Sequence, residues 1–485
     1  MKPVKKFGIA RLSGDSAVYG VGAALVQAAG FFLLPFLTRH LTLAEYGTVA
    51  LVGIAVLVLD GAFGLGTANS MGILYGRETD PARRAEILWS NVLLLAVHTT
   101  LLALVGAALA RPLARGVLGA DGLAPVVSLA FGTLALKTVA VPVLNGLRLE
   151  RRRRVYVAMN VGGAFLTAGL SVYAVVAREA GLTGLFAARL IGQAIATAVA
   201  LAGATRWWPF RLTFASAGRL ARWGAPSAFG VLAFYVLDNA SRLVLERAVG
   251  RADLGVYAVA VSLAAVTSLA VDAFGAAWAP FFLSFSNNPR AGRAVFGRAL
   301  RVYLGAFFIL SLGVTVAGRW AIELLTTAPY HGAAALLPWL TAAYLCRGAY
   351  LILLPGLYFR HWLHRQAMIE WGAAAVAVAA AWALVPAGGQ TAAAAATFVG
   401  YVGLPLLAYI AARNTLAVAW GWRRVWPLVA GYAAVQGLLR AVYPSGTGVY
   451  LFGGGLMIVG YSWFVVTRRD WRGFAAAVRE RLRWA

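Results

Sequence analysis

The chain has 485 residues, 61% of them hydrophobic and only 12% charged, with a formal net charge of +26 at pH 7. Soluble domains carry about 25% charged residues, so this composition leaves no room for a sizeable water-facing domain. The single cysteine, Cys346, excludes an intrachain disulfide, and no His-Glu-x-x-His, Cys-x-x-Cys, Walker loop or Asp-x-Asp pair points to an enzyme.

Crossing the hydrocarbon of a bilayer takes roughly 20 apolar residues in a helix, and such runs recur along nearly the whole chain. They predict spans at 15–38, 46–70, 88–110, 124–146, 155–177, 183–204, 224–247, 255–283, 301–322, 333–359, 366–386, 391–412, 425–443 and 449–467. The first run is too long for a signal-peptide core and no small-residue cleavage site follows it, so it is expected to remain as span 1. The expected fold is therefore an all-α membrane protein of about fourteen transmembrane helices. Trp207, Trp208, Trp223, Trp320, Trp422 and Trp426 fall near span ends, where amphipathic indoles favour the interface. Residues 206–222 form the longest stretch without a span and are expected to be an interfacial linker between two halves.

A charge of +26 invites a nucleic-acid partner, but its distribution argues otherwise. With the N-terminus in the cytoplasm, the loops and tails on that side hold 31 of the 43 Lys and Arg residues, and the external loops hold only 7. This asymmetry is that of loops beside membrane spans, and it predicts cytoplasmic termini at both ends. Most of the charge is thus topology rather than a nucleic-acid surface, and Arg151-Arg152-Arg153-Arg154 reads first as a stop signal and second as a contact for anionic headgroups. His361 and His364, three residues apart in a cytoplasmic loop, have no third ligand nearby in the sequence, and no metal is assigned to them.

The two halves repeat. Ala44-Glu45-Tyr46-Gly47 resembles Ala252-Asp253-Leu254-Gly255 at an offset of 208 residues, and Gly192 falls on Gly400 at the same offset. At an offset of 210, Lys137 falls on Arg347, Gly146 on Gly356, Asn160 on Glu370 and Gly162 on Gly372. A six-span unit preserves orientation, so the halves are expected to be parallel repeats related by an axis along the membrane normal. The implied organisation is an N-lobe over 1–212 with spans 1–6, a C-lobe over 213–412 with spans 7–12, and residues 413–485 with two extra spans and a basic tail.

Ionisable side chains inside spans each cost a few kcal/mol unless they face protein or water. Arg347 lies near the middle of span 10 with no acid three or four residues away, and Tyr344 and Tyr350 flank it at helical spacing. Its repeat mate Lys137 lies in span 4, also without a local acid. Two such cations fit a central, water-accessible, positively charged cavity; the other reading is that acids on neighbouring helices neutralise them. The acids available are Asp60 in span 2 and Asp272 in span 8, one helical turn apart when the repeats are aligned. They serve equally well as partners for Lys137 and Arg347 or as sites for a coupling proton or sodium ion. In span 7, Asp238, Arg242 and Glu246 stand at i, i+4 and i+8, spacing that lets charges pair along one helix face. Contact with substrate or an ion is the second use for Asp238 and Arg242. His98 in span 3 is expected to be a packing residue before a proton relay.

Several motifs in order resemble a known family. They are Arg39-x-Leu-x-x-x-Glu45-Tyr-Gly47, Gly64-Leu-Gly66, Trp223-Gly-Ala-Pro226, Asp238 with Arg242, Gly255-Val-Tyr257-Ala, Ala279-Pro280 and Tyr330-x-x-Ala333. Together they resemble the Wzx-type polysaccharide transporters, part of the multidrug, oligosaccharidyl-lipid and polysaccharide (MOP) exporter superfamily, over nearly all of residues 10–412. The resemblance implies two six-helix lobes and no cofactor. It also implies a flippase in the bacterial cell membrane, which moves an undecaprenyl-diphosphate-linked oligosaccharide from the cytoplasmic to the external leaflet by alternating access for O-antigen, capsule or exopolysaccharide. Membrane lipids and polysaccharide assembly proteins are the implied neighbours of a protein expected to be monomeric. Arg347, Lys137, Tyr344, Tyr350 and Arg242 are the candidates for substrate contact, since a diphosphate needs cationic partners, and Asp60, Asp272 and Asp238 are the candidates for ion coupling. Span 1 lacks the cations expected of peptidoglycan-precursor flippases. The runner-up, a cation-coupled multidrug antiporter of the same superfamily, would favour acids over bases in its cavity. A membrane glycosyltransferase or polymerase would need a large acidic loop, which the sequence does not supply.

The topology has a direct test. Reporter fusions after residues 40, 180, 250, 388 and 446 are expected to report external, and fusions after 152, 215, 362 and 415 internal; reversal at any two of these positions overturns the assignment.

Overall fold

The computed structural model describes residues 9–285, 288–360, 362–413, 418, 420–442 and 447–465, with 9–19, 225–231, 289–291, 363–364 and 464–465 described by backbone alone. His361, the side chain of His364, position 446 and the basic tail lie outside what is described. Every regular element among the described residues is helical. The helices are α1 (Ile9–His40), α2 (Leu43–Gly64), α3 (Thr67–Arg77), α4 (Pro81–Ala108), α5 (Ala110–Leu118), α6 (Ala124–Leu149), α7 (Arg153–Val172) and α8 (Gly181–Trp207). There follow α9 (Phe214–Ala248), α10 (Arg251–Leu283), α11 (Pro289–Leu325), α12 (Leu337–Leu353), α13 (Pro355–Tyr358), α14 (Leu363–Ala412), α15 (Trp422–Val442) and α16 (Thr447–Val465).

Eleven of the described helical segments are long and apolar enough to cross a bilayer. The three other predicted spans are α9, α16 and the second part of α14, and all three are helical. The two spans within α14 are marked off by Gly389, whose φ of 53° and ψ of −136° break the helical path. Span 2 stops earlier than predicted: Leu65 and Gly66 both take left-handed backbone, so α2 ends at Gly64 and α3 begins a new direction. The predicted linker is also shorter, because α8 continues to Trp207 and α9 already starts at Phe214. Large apolar side chains such as Leu101, Leu104 and Val105 on α4, or Phe452, Leu456 and Val459 on α16, are exposed. Contiguous patches of this kind are a liability in water and ordinary against lipid. The protein is a multi-pass membrane protein.

The chain packs as two compact units that divide between Tyr235 and Val236. In the unit over Leu12–Tyr235, α6 is central and packs against α2, α4 and α8. Met71, Tyr75, Leu88, Val143, Leu147, Ala204, Trp208 and Leu220 form its buried core at one end. The motif around Glu45 is a helix start. The Thr42 amide donates to Glu45 Oε2 at 2.9 Å and the Glu45 amide donates to Thr42 Oγ1 at 3.2 Å, a reciprocal cap that satisfies two first-turn donors. The connection from α8 to α9 is fastened to α4. Trp89 Nε1 donates to the Trp208 carbonyl at 3.1 Å, the Thr213 amide donates to Ser90 Oγ at 2.9 Å, and the hydroxyls of Thr213 and Ser216 each donate to Glu86 at 2.7 Å.

Two of the recognised motifs meet in space. A Cβ added to Gly224, in the Trp-Gly-Ala-Pro motif of α9, would lie 2.4 Å from the Leu65 carbonyl oxygen and 2.8 Å from the Gly66 carbonyl carbon. The turn between α2 and α3 therefore presses its backbone directly on that of α9, and Ser70 of α3 adds a 2.8 Å hydrogen bond to the Leu220 carbonyl.

In the unit from Val236 onward, α12 is central and packs against α10, α11 and α14. An aromatic core of Trp278, Phe282, Phe285 and Phe296 holds α10 to α11, with rings edge-on at 5.4–5.7 Å for the Trp278–Phe296 and Phe285–Phe296 pairs. Against α15, Phe308 stacks on Tyr432 at 4.3 Å, and Tyr432 also shares a 2.7 Å hydrogen bond with Ser311.

Because the Gly224 contact is backbone against backbone, Gly224→Val is expected to cost about 1–3 kcal/mol, the usual penalty of overpacking. Thermal unfolding of the detergent-solubilised protein should show a lowered apparent Tm. Gly218→Ala, in the same helix with nothing within 4 Å of the added atom, should leave it unchanged or raised. Equal behaviour of the two variants would refute the close approach.

Candidate functional site

The two intramembrane cations singled out by the sequence each have an acid on another helix. In the first unit, Lys137 on α6 reaches Asp60 on α2 with Nζ and Oδ1 at 3.1 Å. In the second, Arg347 on α12 reaches Asp272 on α10 with Nη2 and Oδ1 at 2.7 Å. Both pairs join the helices that the repeat offset aligns, span 2 with span 4 and span 8 with span 10. The cations are therefore not lone charges, as the open-cavity expectation supposed, but members of ion pairs. They are also not sealed in. The side chains of Lys137 and Asp60 are 52% and 36% exposed, and those of Arg347 and Asp272 are 31% and 48% exposed. An exposed charge at this depth is far less costly against water or protein than against lipid.

Around Arg347 the second unit carries further polar groups. Asp238 on α9 accepts a short hydrogen bond from Tyr401 on α14, and the ring of Tyr344 meets that of Tyr401 edge-on at 5.9 Å. Asp238 lies within electrostatic reach of both Arg242 and Arg347. One turn along α9, Ser241 Oγ accepts from Thr397 Oγ1 at 3.0 Å, and Thr397 shares a second 3.0 Å bond with the Tyr257 hydroxyl. The guanidinium of Arg242 lies 6.0 Å from the centroid of the Tyr257 ring, an attractive cation–π geometry. Two cations, two carboxylates and three tyrosines from α9, α10, α12 and α14 thus form one cluster.

Other sequence expectations fare differently. The ladder along α9 is not the arrangement found: Asp238 turns to Tyr401, and Glu246 accepts from Arg251 Nε at 3.5 Å. Bonds across helices replace bonds within one because α14 and α10 bring hydroxyl and guanidinium donors to those acids. Tyr350 donates to Glu370 Oε1 at 2.8 Å, where Gln366 donates to the same oxygen at 2.9 Å. His98 places Nε2 3.0 Å from the Ala62 carbonyl, a contact that ties α4 to α2.

Tyr401, Thr397, Ser241 and Tyr257 were absent from the sequence-based candidates. Tyr401 and Thr397 stand at i and i+4 in an otherwise alanine-rich run, a spacing that was there to be read. Glu370, an acid inside an apolar span, was a stronger signal passed over. Arg189 on α8 was likewise passed over; its guanidinium sits 5.1 Å from the Phe186 ring centroid. A separate cavity of about 520 Å³ between α12, α14, α15 and α16 is lined mainly by apolar residues, with Gln436 and Arg440 among them. None of the candidate residues lines it.

The same fold occurs in solved transporters. Lipid II flippase MurJ in an inward closed conformation superposes with a TM-score of 0.70 over 93% of this chain and 98% of its own, at 10% identity. An inward-facing multidrug resistance MATE family transporter of the MOP superfamily gives 0.62 over 80% of this chain and 94% of its own, at 15% identity. A MOP superfamily transporter from Pyrococcus furiosus gives 0.61 over 85% and 95%, at 13% identity. At such identities the likeness establishes the MOP-type fold. No curated protein sequence matches the chain. Residues 36–335 match the family described as polysaccharide biosynthesis protein; that stretch holds Asp60, Lys137, Asp238 and Asp272 and covers well over half of the sequence, and the chain belongs to this family.

Proposed function

We propose that this protein is a flippase that carries an undecaprenyl-diphosphate-linked oligosaccharide from the cytoplasmic to the external leaflet of a bacterial cell membrane, for assembly of a surface polysaccharide. The observation that carries the proposal is the pair of water-open ion pairs, Lys137–Asp60 and Arg347–Asp272, at equivalent helices of the two halves. Membership of the polysaccharide biosynthesis family and a fold shared with a lipid II flippase support a saccharide on a lipid carrier as the cargo.

The ion pairs give the cations two alternative partners. A diphosphate offers more negative oxygens than a carboxylate, so it competes for Lys137 or Arg347 within each unit. Protonation of Asp60 or Asp272, or a sodium ion bound to it, would weaken the carboxylate's hold and release the cation to the phosphate. Substrate binding and ion binding are then linked through the same side chains, and each ligand raises the affinity for the other. Asp238, held by Tyr401 and within reach of Arg347, is the third acid in this exchange, with Tyr344 beside it and Arg242 as a further cation. A multidrug antiporter, whose cargo is often cationic, would instead use the carboxylates as its substrate contacts.

The experiment is export of surface polysaccharide by cells that depend on the variant protein. A charge-assisted hydrogen bond is worth roughly 1.5–3 kcal/mol, so Arg347→Ala should weaken substrate binding about ten- to hundredfold and cripple export at normal abundance in the membrane. Arg347→Lys should retain part of the function, because the charge survives while the planar fork does not. Asp272→Asn should reduce transport and make what remains insensitive to the driving ion gradient. Wild-type export by Arg347→Ala would refute the assignment. So would loss of Arg347→Ala from the membrane with recovery of abundance and export on adding Asp272→Asn, since Arg347 would then be one half of a purely structural pair.

A further inference from the structure

A second group of cations lies away from the site described above, where the first part of α11 meets the start of α15. Helix α11 has 37 residues, about 55 Å at 1.5 Å per residue, against a hydrocarbon thickness of about 30 Å. Its charge-free stretch runs from Val302 to Gly318 between Arg301 and Arg319, which sets Arg301 at one face of the membrane. Trp420, Trp422 and Trp426 mark the same level from the other chain segment, as indoles prefer the interface.

Arg301 organises the junction. Its Nη1 donates to the Gly297 carbonyl on its own helix at 3.0 Å and to the Trp420 carbonyl at 3.2 Å. The turn into α15 then passes directly over the guanidinium. A Cβ at Gly421 would stand 2.8 Å from Arg301 Nη1 and would displace that flexible side chain, and the Gly421 φ of +69° lies in the left-handed region that favours glycine. Behind the turn, Trp422 is held edge-on to Tyr409 of α14 at 5.2 Å.

The result is a cavity of about 390 Å³ lined by Arg301, Gly421, Trp422, Arg423 and Arg424. Of the five described residues that line it, three are arginines and none is acidic. It opens at the first turn of α15, where the helix dipole adds positive potential. Arginine forks match phosphate oxygens bidentately, and an indole beside them suits the apolar part of a lipid. The exposed edges of Trp422 and Trp426 adjoin the cavity at the level where acyl chains begin.

We propose that this pocket binds the phosphate of an anionic phospholipid headgroup in the adjoining leaflet, beside the direct contact of α15 with α11. The site is independent of the transport assignment. It can be tested by native mass spectrometry of the full-length protein from nanodiscs with equal amounts of phosphatidylglycerol and phosphatidylcholine. The wild type is expected to retain phosphatidylglycerol preferentially. Arg423→Ala with Arg424→Ala should lose that preference, with affinity falling about fivefold per arginine removed, as expected for interfacial basic residues. Arg423→Lys with Arg424→Lys should keep most of it, and the single Arg423→Ala should fall between, which separates lost charge from lost folding. Equal retention of phosphatidylglycerol by the wild type and the double alanine variant would overturn the proposal. Displacement of the lipid from the wild type by millimolar inorganic phosphate would overturn it too, because a soluble phosphate would then be the ligand.

Discussion

A charge placed at the depth of a bilayer must meet an opposite charge, oriented protein dipoles or water, and both units of this protein are arranged around that constraint. In each, the cation sits on the central helix of the unit, α6 or α12, and the acid comes from a neighbour, α2 or α10. The central helix touches most of its unit, so a charge there is surrounded by protein on several sides. The exposure of both pairs leaves one side open to water. A pair that is both satisfied and wet is stable without being fixed, since solvent lowers the energy of separating its members.

The motifs that carry the family resemblance have mechanical explanations that need no reference to substrate. Glu45 caps α2 together with Thr42. Left-handed Leu65 and Gly66 turn the chain from α2 into α3, and Gly224 admits that turn against α9. These residues set how α2 enters and leaves its span, and Asp60 lies one turn before the end of that helix. The position of the acid that meets Lys137 is therefore fixed by backbone contacts at sites that never touch it. Sequence patterns of this sort mark a fold, and the chemistry must be argued from the charged residues placed on it.

Much of the fold was legible in the sequence because its physical signals are long and repeated. Apolar runs of span length, arginine-rich loops and terminal tryptophans each report the membrane boundary independently. The failures were local. Left-handed backbone at Leu65 and Gly66 ended α2 within a predicted span, and hydrophobicity does not register a backbone angle. For the site, the sequence placed Lys137, Arg347, Asp60 and Asp272 inside predicted spans but left open whether they met. Depth follows from counting residues along a helix, whereas pairing depends on how neighbouring helices are rotated, which packing decides. Tyr401 and Thr397 were missed for a related reason. A tyrosine or threonine in a span costs too little to stand out until its partner, here Asp238 or Ser241, is seen across the helix boundary.

The two units differ in how much polar structure surrounds the common pair. The first holds Lys137 and Asp60 with one formal charge of each sign. The second gathers Arg242, Arg347, Asp238 and Asp272, again balanced, and adds hydroxyls from Tyr401, Thr397, Ser241 and Tyr257. Counted by formal charge on the described side chains, neither cluster has a net charge, so neither would attract a diphosphate strongly until a carboxylate is neutralised. Under the proposed function that balance is useful. A permanently cationic cavity would bind the diphosphate tightly on both sides of the membrane and release it slowly, because only a difference in affinity between states can drive release. A cation held by its own carboxylate has a built-in competitor that returns when the coupling ion leaves. The second unit, with two acids within reach of one arginine, has more ways to make that return, and it is there that control of substrate release would reside.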